Sequence, residues 1–256
     1  MCELLGLNAN VPTDICFSFT GLVQRGGATG PHRDGWGISM YDGKASRSFH
    51  DPRASVASEI AELIQRHSIK SKVIISHIRK ANRGKVCLAN THPFERKLWG
   101  ASWVFAHNGQ LRGVKKKKLD FYTPVGTTDS EYAFCWMLEQ IRKKFRKPPS
   151  DRRRLWRFIR KLAQELDELG VFSFLLSDSQ VLYAYCSNYL YWITRRHPFG
   201  KARLLDTGAI VDFSGETTPK DIVTVVTSQP LTDNEEWNRM EKGEFLVFKN
   251  GDPQEF

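Results

Sequence analysis

Residues 129–170 read DSEYAFCWMLEQIRKKFRKPPSDRRRLWRFIRKLAQELDELG, and apolar side chains recur through them at helical spacing twice over. Phe134, Met137, Leu138 and Ile141 would share the inner face of a first helix. Leu155, Phe158, Ile159, Leu162 and Leu166 would share the inner face of a second, running from about Asp151 to Leu169. Asp129 or Ser130 is placed to cap the first, Pro148-Pro149 ends it, and Gly170 stops the second. On both sides the pattern changes to strand: Cys2 to Asn8, Trp36 to Tyr41, Val73 to Ile78 and Trp103 to His107 before the pair, then Phe172 to Ser177, Val181 to Cys186, Tyr189 to Thr194, Ile222 to Thr227 and Phe245 to Lys249 after it. Strands, a helical pair, then strands again describe an α+β layered sandwich with antiparallel hairpins, not a doubly wound parallel sheet.

Nearer the start, Val11-Pro12-Thr13-Asp14 reads as a turn with an N-cap before the apolar stretch Ile15 to Val23. Gly26, Gly27 and Gly30 mark a loop leading to the strand after Asp34, which Asp42-Gly43 closes as a hairpin. Ser55 to Gln65 has helical spacing. No repeat and no Gly/Ser linker interrupts the 256 residues. They are therefore read as one domain, 1–256, with residues 2–140 carrying the candidate chemistry, 142–169 a basic helical hairpin and 170–256 the remaining strands.

The formal charge of +10 is entirely local. Between Arg142 and Lys161 stand eleven Arg and Lys residues against Asp151 alone, so the remainder of the chain is neutral. A basic hairpin on a neutral body suits a solvated face or an acidic protein partner better than nucleic acid, for which no zinc-finger, RRM or KH pattern is present. No apolar run approaches the ~18 residues of a membrane span. The first twenty residues include Glu3 and Asp14 and lack the make-up of a secretory signal. Five scattered cysteines, Cys2, Cys16, Cys87, Cys135 and Cys186, fit a reduced, cytoplasmic setting. Phosphate-loop, dinucleotide and zinc motifs are missing, and His77, His92 and His107 at intervals of fifteen lack a helical metal spacing; neither a cofactor nor a metal is expected.

Cys2 is the informative position. Removal of Met1 would leave a thiol and an α-amino group on one residue, and that amine, of ordinary pKa about 7.7 to 8.0, can serve as the thiol's own base. After Cys2 come, in order, Arg33-Asp34-Gly35-Trp36-Gly37, Ser76-His77-Ile78-Arg79-Lys80-Ala81, Asn90-Thr91-His92-Pro93-Phe94, Phe105-Ala106-His107-Asn108-Gly109 and Thr127-Thr128-Asp129-Ser130-Glu131. This constellation resembles the glutaminase domain of the class II glutamine amidotransferases, members of the N-terminal nucleophile hydrolases, and is most similar to the small stand-alone YafJ-like branch. The motifs fall within about the first 140 residues.

The resemblance implies a four-layer αββα sandwich with two stacked antiparallel sheets. It implies Cys2 as nucleophile, Asn108 by its side-chain amide and Gly109 by its backbone N–H as the oxyanion hole, Arg79 on the substrate α-carboxylate and Asp129 on its α-ammonium. Asp34, His77 and His107 would support these from behind, with Trp36 packed beneath. The large synthases typically follow the arginine with Trp-Ala-Thr-His-Gly; here Lys80-Ala81-Asn82-Arg83-Gly84 follows. Asn82 would replace the threonine as a polar substrate contact, and Arg83 would suit a further carboxylate, as in a γ-glutamyl peptide. The implied substrate is glutamine or a γ-glutamyl compound, with a separate synthase as a further partner.

Overall fold

The computed structural model describes residues 2–81, 84–215 and 217–256. In chain order the first half contains β1 (Glu3–Asp14), α1 (Cys16–Gln24), β2 (Trp36–Asp42), β3 (Ala45–Asp51), α2 (Glu59–Arg66), β4 (Lys70–Ile78), β5 (Phe94–Leu98) and β6 (Ala101–Leu111). The helical pair follows as α3 (Asp129–Lys144) and α4 (Arg152–Asp167). Then come β7 (Gly170–Ser177), β8 (Val181–Tyr185), β9 (Tyr191–Arg196), β10 (Lys201–Arg203), β11 (Ile210–Asp212), β12 (Ile222–Thr227), β13 (Asn238–Arg239), β14 (Phe245–Lys249) and β15 (Asp252–Pro253).

One sheet has the order β13-β9-β12-β1-β4-β2-β3, the other β15-β14-β8-β7-β6-β5, and every pairing in both is antiparallel. Alternation along the central strands sorts side chains into three apolar layers. Leu4, Val73 and Ile75 of the first sheet meet Val104, Ala106, Leu175 and Leu182 of the second. Leu5, Leu7 and Ile74 turn the other way, onto Phe19 and Leu22 of α1 and Ile64 of α2. Phe105, Phe172 and Phe174 face outward from the second sheet against Phe134 and Leu138 of α3 and Leu155 and Ile159 of α4. The result is the four-layer αββα sandwich, two antiparallel sheets between two helical layers.

Three local readings are corrected. Val11–Asp14 is not a turn: β1 runs on to Asp14, with an irregularity in its pairing to β4 between Asn8 and Thr13. Pro12 falls within that break, where its missing N–H leaves no ladder position empty. The cap of α3 is Thr128, whose hydroxyl accepts the Glu131 N–H at 3.1 Å, rather than Asp129 or Ser130. Trp36 does not lie beneath the candidate site; it is fully buried in the outer layer, 5.6 Å from the Phe19 ring.

Candidate active site

Antiparallel pairing gathers the motifs at one edge of the first sheet. Glu3 pairs with Ile78 and Trp36 with the same Ile78, so Cys2 just before β1, Asp34 just before β2 and Arg79 just after β4 emerge side by side. Main-chain bonds continue the register past the strand end: Arg79 N–H donates to Gly35 O at 2.8 Å and Asp34 N–H to Arg79 O at 3.1 Å. The Asp34 carboxylate then accepts the Ala81 N–H at 2.7 Å. Gly35 turns this corner with φ +112, where an added Cβ would lie 3.2 Å from Asp51 O and from Thr91 Oγ1.

Cys2 is clasped by the second sheet. Its N–H donates to Asn108 Oδ1 at 2.9 Å and its carbonyl accepts from Asn108 Nδ2 at 2.6 Å, so one amide on β6 reads both polar groups of the Cys2 main chain. The thiol lies against Lys80, whose N–H donates to Sγ at 3.3 Å and whose carbonyl accepts from Sγ at 3.5 Å. Burial pushes the Cys2 thiol above its ordinary value; the Lys80 N–H, the positive chain start and Arg79 pull it back, while Glu3 adds to the rise.

A cleft of about 400 Å³ holds Cys2, Arg79, Asn108, Gly109 and Asp129 on its walls, within the size range of small-molecule sites. Arg79 is 4% exposed and donates from Nη1 to Lys85 O at 3.1 Å. Asp129 opens α3, where its Oδ2 accepts the Leu111 N–H at 2.7 Å. Gly109 has φ +154, and a Cβ there would stand 1.9 Å from Val171 O, a clash no rotamer relieves. The cleft thus offers a thiol, a fork of donors, a carboxylate and a side-chain amide within one small volume.

The histidines flank this arrangement. His107 Nδ1 is 2.8 Å from Ser130 Oγ and its Nε2 3.1 Å from Val171 O. A carbonyl only accepts, which assigns the proton to Nε2 and leaves Nδ1 to accept the serine hydroxyl. Burial lowers the His107 pKa, partly offset by Asp129 and the Val171 carbonyl. His77 is fully buried, its ring 4.2 Å from that of His92, and burial, with His107 and Arg79 adding to it, pushes it down to about 3. Both His77 and His107 are therefore neutral rings near pH 7.

Asn82 and Arg83 lie outside the described residues. Among features that sequence reasoning did not single out, Lys115 joins the cleft wall and donates to Thr127 O at 2.7 Å. Beside Cys2, Glu3 is buried against Arg25, which is 5% exposed and donates from Nη1 to Glu3 Oε2 at 3.1 Å and from Nε to Asp206 Oδ2 at 2.9 Å. Arg25 also donates to Gln229 O and Pro230 O, at 3.1 and 2.5 Å. A lone arginine ending an apolar stretch was the available signal, but its partners Asp206, Gln229 and Pro230 lie about two hundred residues further along the chain.

The model of the glutamine amidotransferases of class II matches residues 1–256. YafJ of Escherichia coli (strain K12) is 56% identical over 252 residues, covering 98% of this chain and 99% of that protein. The crystal structure of a predicted glutamine amidotransferase from Pseudomonas aeruginosa PA01 superposes with a TM-score of 0.81 at 52% identity, over the full length of both chains. The glutamine phosphoribosylpyrophosphate amidotransferase of B. subtilis, at 16% identity and a TM-score of 0.62, shares the fold over 99% of this chain and 48% of its own. The fold is thus that of the N-terminal nucleophile hydrolases. The chain belongs to the class II glutamine amidotransferases, and YafJ is among its full-length relatives.

Proposed function

We propose that the chain cleaves the γ-amide of glutamine, or of a γ-glutamyl compound, through a γ-glutamyl thioester on Cys2, with residues 1–256 acting as one glutaminase unit. The observation that carries this is the double clasp of Asn108 on Cys2 at the floor of a cleft that also holds Arg79 and Asp129. Once Met1 is removed, the nitrogen facing Asn108 Oδ1 is an α-amine. Oriented by that oxygen, it takes the thiol proton as Sγ attacks the γ-carbonyl, and hands it to the departing ammonia. The Asn108 amide nitrogen carries two hydrogens; one serves the Cys2 carbonyl and the other, with the Gly109 N–H, covers the developing oxyanion. Arg79 takes the α-carboxylate as a bidentate fork and Asp129 the α-ammonium, while Asp34, His77 and His107 hold the walls. Water, deprotonated by the same amine, resolves the thioester. Such a free thiol suits a reduced, cytoplasmic setting.

The test is ammonia release from glutamine and a panel of γ-glutamyl amides, with intact mass reporting the state of residue 1. Met1-processed protein should turn over and lose nearly all activity as Cys2→Ser, while Cys16→Ala and Cys186→Ala retain it. Equal turnover by protein that keeps Met1, or a Cys2→Ser variant that works, removes the proposal.

A further inference from the structure

We infer that Asp34 is the positioning residue that presents Lys80 to the nucleophile: it fixes both peptide planes through which the chain touches Cys2 Sγ. This rests on the proposed role of Cys2 and concerns how the thiol is held. Beyond Ile78 the regular ladder of β4 gives way to single main-chain bonds with the Asp34–Gly35 pair. Two planes follow. The plane between Arg79 and Lys80 has its carbonyl on Asp34 N–H at 3.1 Å and its N–H on Cys2 Sγ at 3.3 Å. The plane between Lys80 and Ala81 has its N–H on Asp34 Oδ2 at 2.7 Å and its carbonyl 3.5 Å from Sγ.

A trans peptide is flat, with N–H and C=O pointing in opposite directions, so fixing one end aims the other. Asp34 therefore grips the outer end of each plane while the sulfur meets the inner ends. The two contacts also serve different states of the sulfur. The carbonyl accepts from the thiol, and the N–H donates to the thiolate once the proton has left. The main-chain grip of Asp34 survives any substitution except proline, whereas the second grip belongs to the carboxylate alone. Without it the Lys80–Ala81 plane is free to turn and its carbonyl no longer faces the thiol, so the neutral sulfur loses its acceptor while the thiolate's donor stays held. Arg79 keeps its Lys85 contact and its main-chain bonds to Asp34 and Gly35 in such a variant.

The charged groups facing the sulfur are Arg79 from the end of β4, Glu3 from β1 and the chain N-terminus; Asn108, which faces it from the second sheet, is uncharged, while His107 and Asp129 stand further along the cleft wall. All of these, with Lys80 and Lys115 of the cleft wall, remain in an Asp34 variant; Asp34's own charge is lost in Ala, Ser and Asn alike, so the difference between Asn and the other two reports the grip on the Ala81 N–H.

The experiment is the pH profile of Cys2 alkylation by iodoacetamide on full-length, Met1-processed protein, read from the mass of the N-terminal peptide, with thermal melting as the check on folding. Asp34→Ala should lower the apparent thiol pKa by about one unit relative to Asp34→Asn, making alkylation near neutral pH up to about tenfold faster, while the loosened sulfur lowers kcat for γ-amide hydrolysis with KM little changed. Asp34→Asn keeps an acceptor oxygen at the same reach and should restore the profile to within about threefold. If the alanine variant fails to fold, Asp34→Ser, too short to reach the Ala81 N–H, carries the same expectation. An unchanged profile in a folded Ala or Ser variant overturns the inference, and so does an Asn variant shifted as far as Ala. Alkylation needs no turnover: expected profiles without hydrolysis of any γ-amide would remove the proposed function and leave this inference standing.

Discussion

Arg79 is held before any substrate arrives, with one nitrogen on Lys85 O and its main chain bonded on both sides to the Asp34–Gly35 pair. A guanidinium can keep that bond and still offer a planar pair of donors, whereas an ammonium is a single point of charge. Arg79→Lys is therefore expected to raise KM for glutamine by at least tenfold with a smaller effect on kcat, measured by steady-state ammonia release; unchanged constants would take the arginine out of substrate binding. That Cys2 and Arg79 would share one cleft was legible in the sequence, because the proposed chemistry demands particular residue types at particular places: a thiol with its own base at the chain start, and a fork of donors at a strand end. Arg25 and Glu3 were not. Their burial depends on Asp206, Gln229 and Pro230 returning to the start of β1, and no local pattern encodes a contact across that distance.

At the level of elements, the N-terminus of α3 divides its work among three adjacent residues. Thr128 takes the capping bond, which leaves Asp129 to hold Leu111 N–H and face the cleft, and Ser130 to hold His107. Sequence alone placed the helix and its inner face correctly but not the cap, because Thr, Asp and Ser all favour that position and only the tertiary partners separate them. Thr128→Ala should lower the unfolding free energy by about 1 kcal/mol in urea titration, and should raise KM as the Asp129 end of the helix frays. A stability loss with KM untouched would show that Asp129 is held by Leu111 alone. Strand periodicity worked wherever runs were long: β4, β6, β7, β8 and β12 lie where alternation or continuous apolar runs placed them. The short strands β10, β11 and β15 escaped, since two or three residues are too few for a period of two to declare itself, and their pairing is fixed by neighbours rather than composition.

Charge and proton balance belong to the whole molecule. The basic excess sits on the outer helical layer, with Arg153, Arg154, Arg157 and Arg160 exposed, but Arg152 turns inward to pair with Asp178, a carboxylate that is itself buried. Arg152 is the first residue of α4, where the cap and neighbours govern direction more than the helical face does. Arg153→Ser with Arg154→Ser should leave both melting temperature and hydrolysis nearly intact, whereas Arg152→Ser should lower the melting temperature by stranding Asp178, and equal behaviour of the two variants would contradict the pairing. The interior carries the opposite liability. His77, His92 and His107 are buried, and burial lowers the pKa of each. An unfolded chain binds protons on these rings below about pH 6.5 while the folded chain does not, so their contribution is complete above that pH and is lost as the pH falls toward the folded values, about 3 for His77. The lowered carboxylates Asp51, Glu95, Glu139 and Glu235 act in the same direction, but only on approaching pH 4, so from pH 6.5 to about 4.5 the histidines, His50 among them, act against buried Glu3, whose raised carboxyl takes up its proton more readily in the folded chain. Over the step from pH 7 to pH 5 a single ring such as His77 accounts for about 2 kcal/mol. Urea unfolding at the two pH values should therefore show a lower stability at pH 5 for the native sequence, and His77→Gln, although less stable at pH 7, should lose about 2 kcal/mol less over the same step. Identical pH dependence in the two proteins would mean that the ring takes up its proton without leaving the fold.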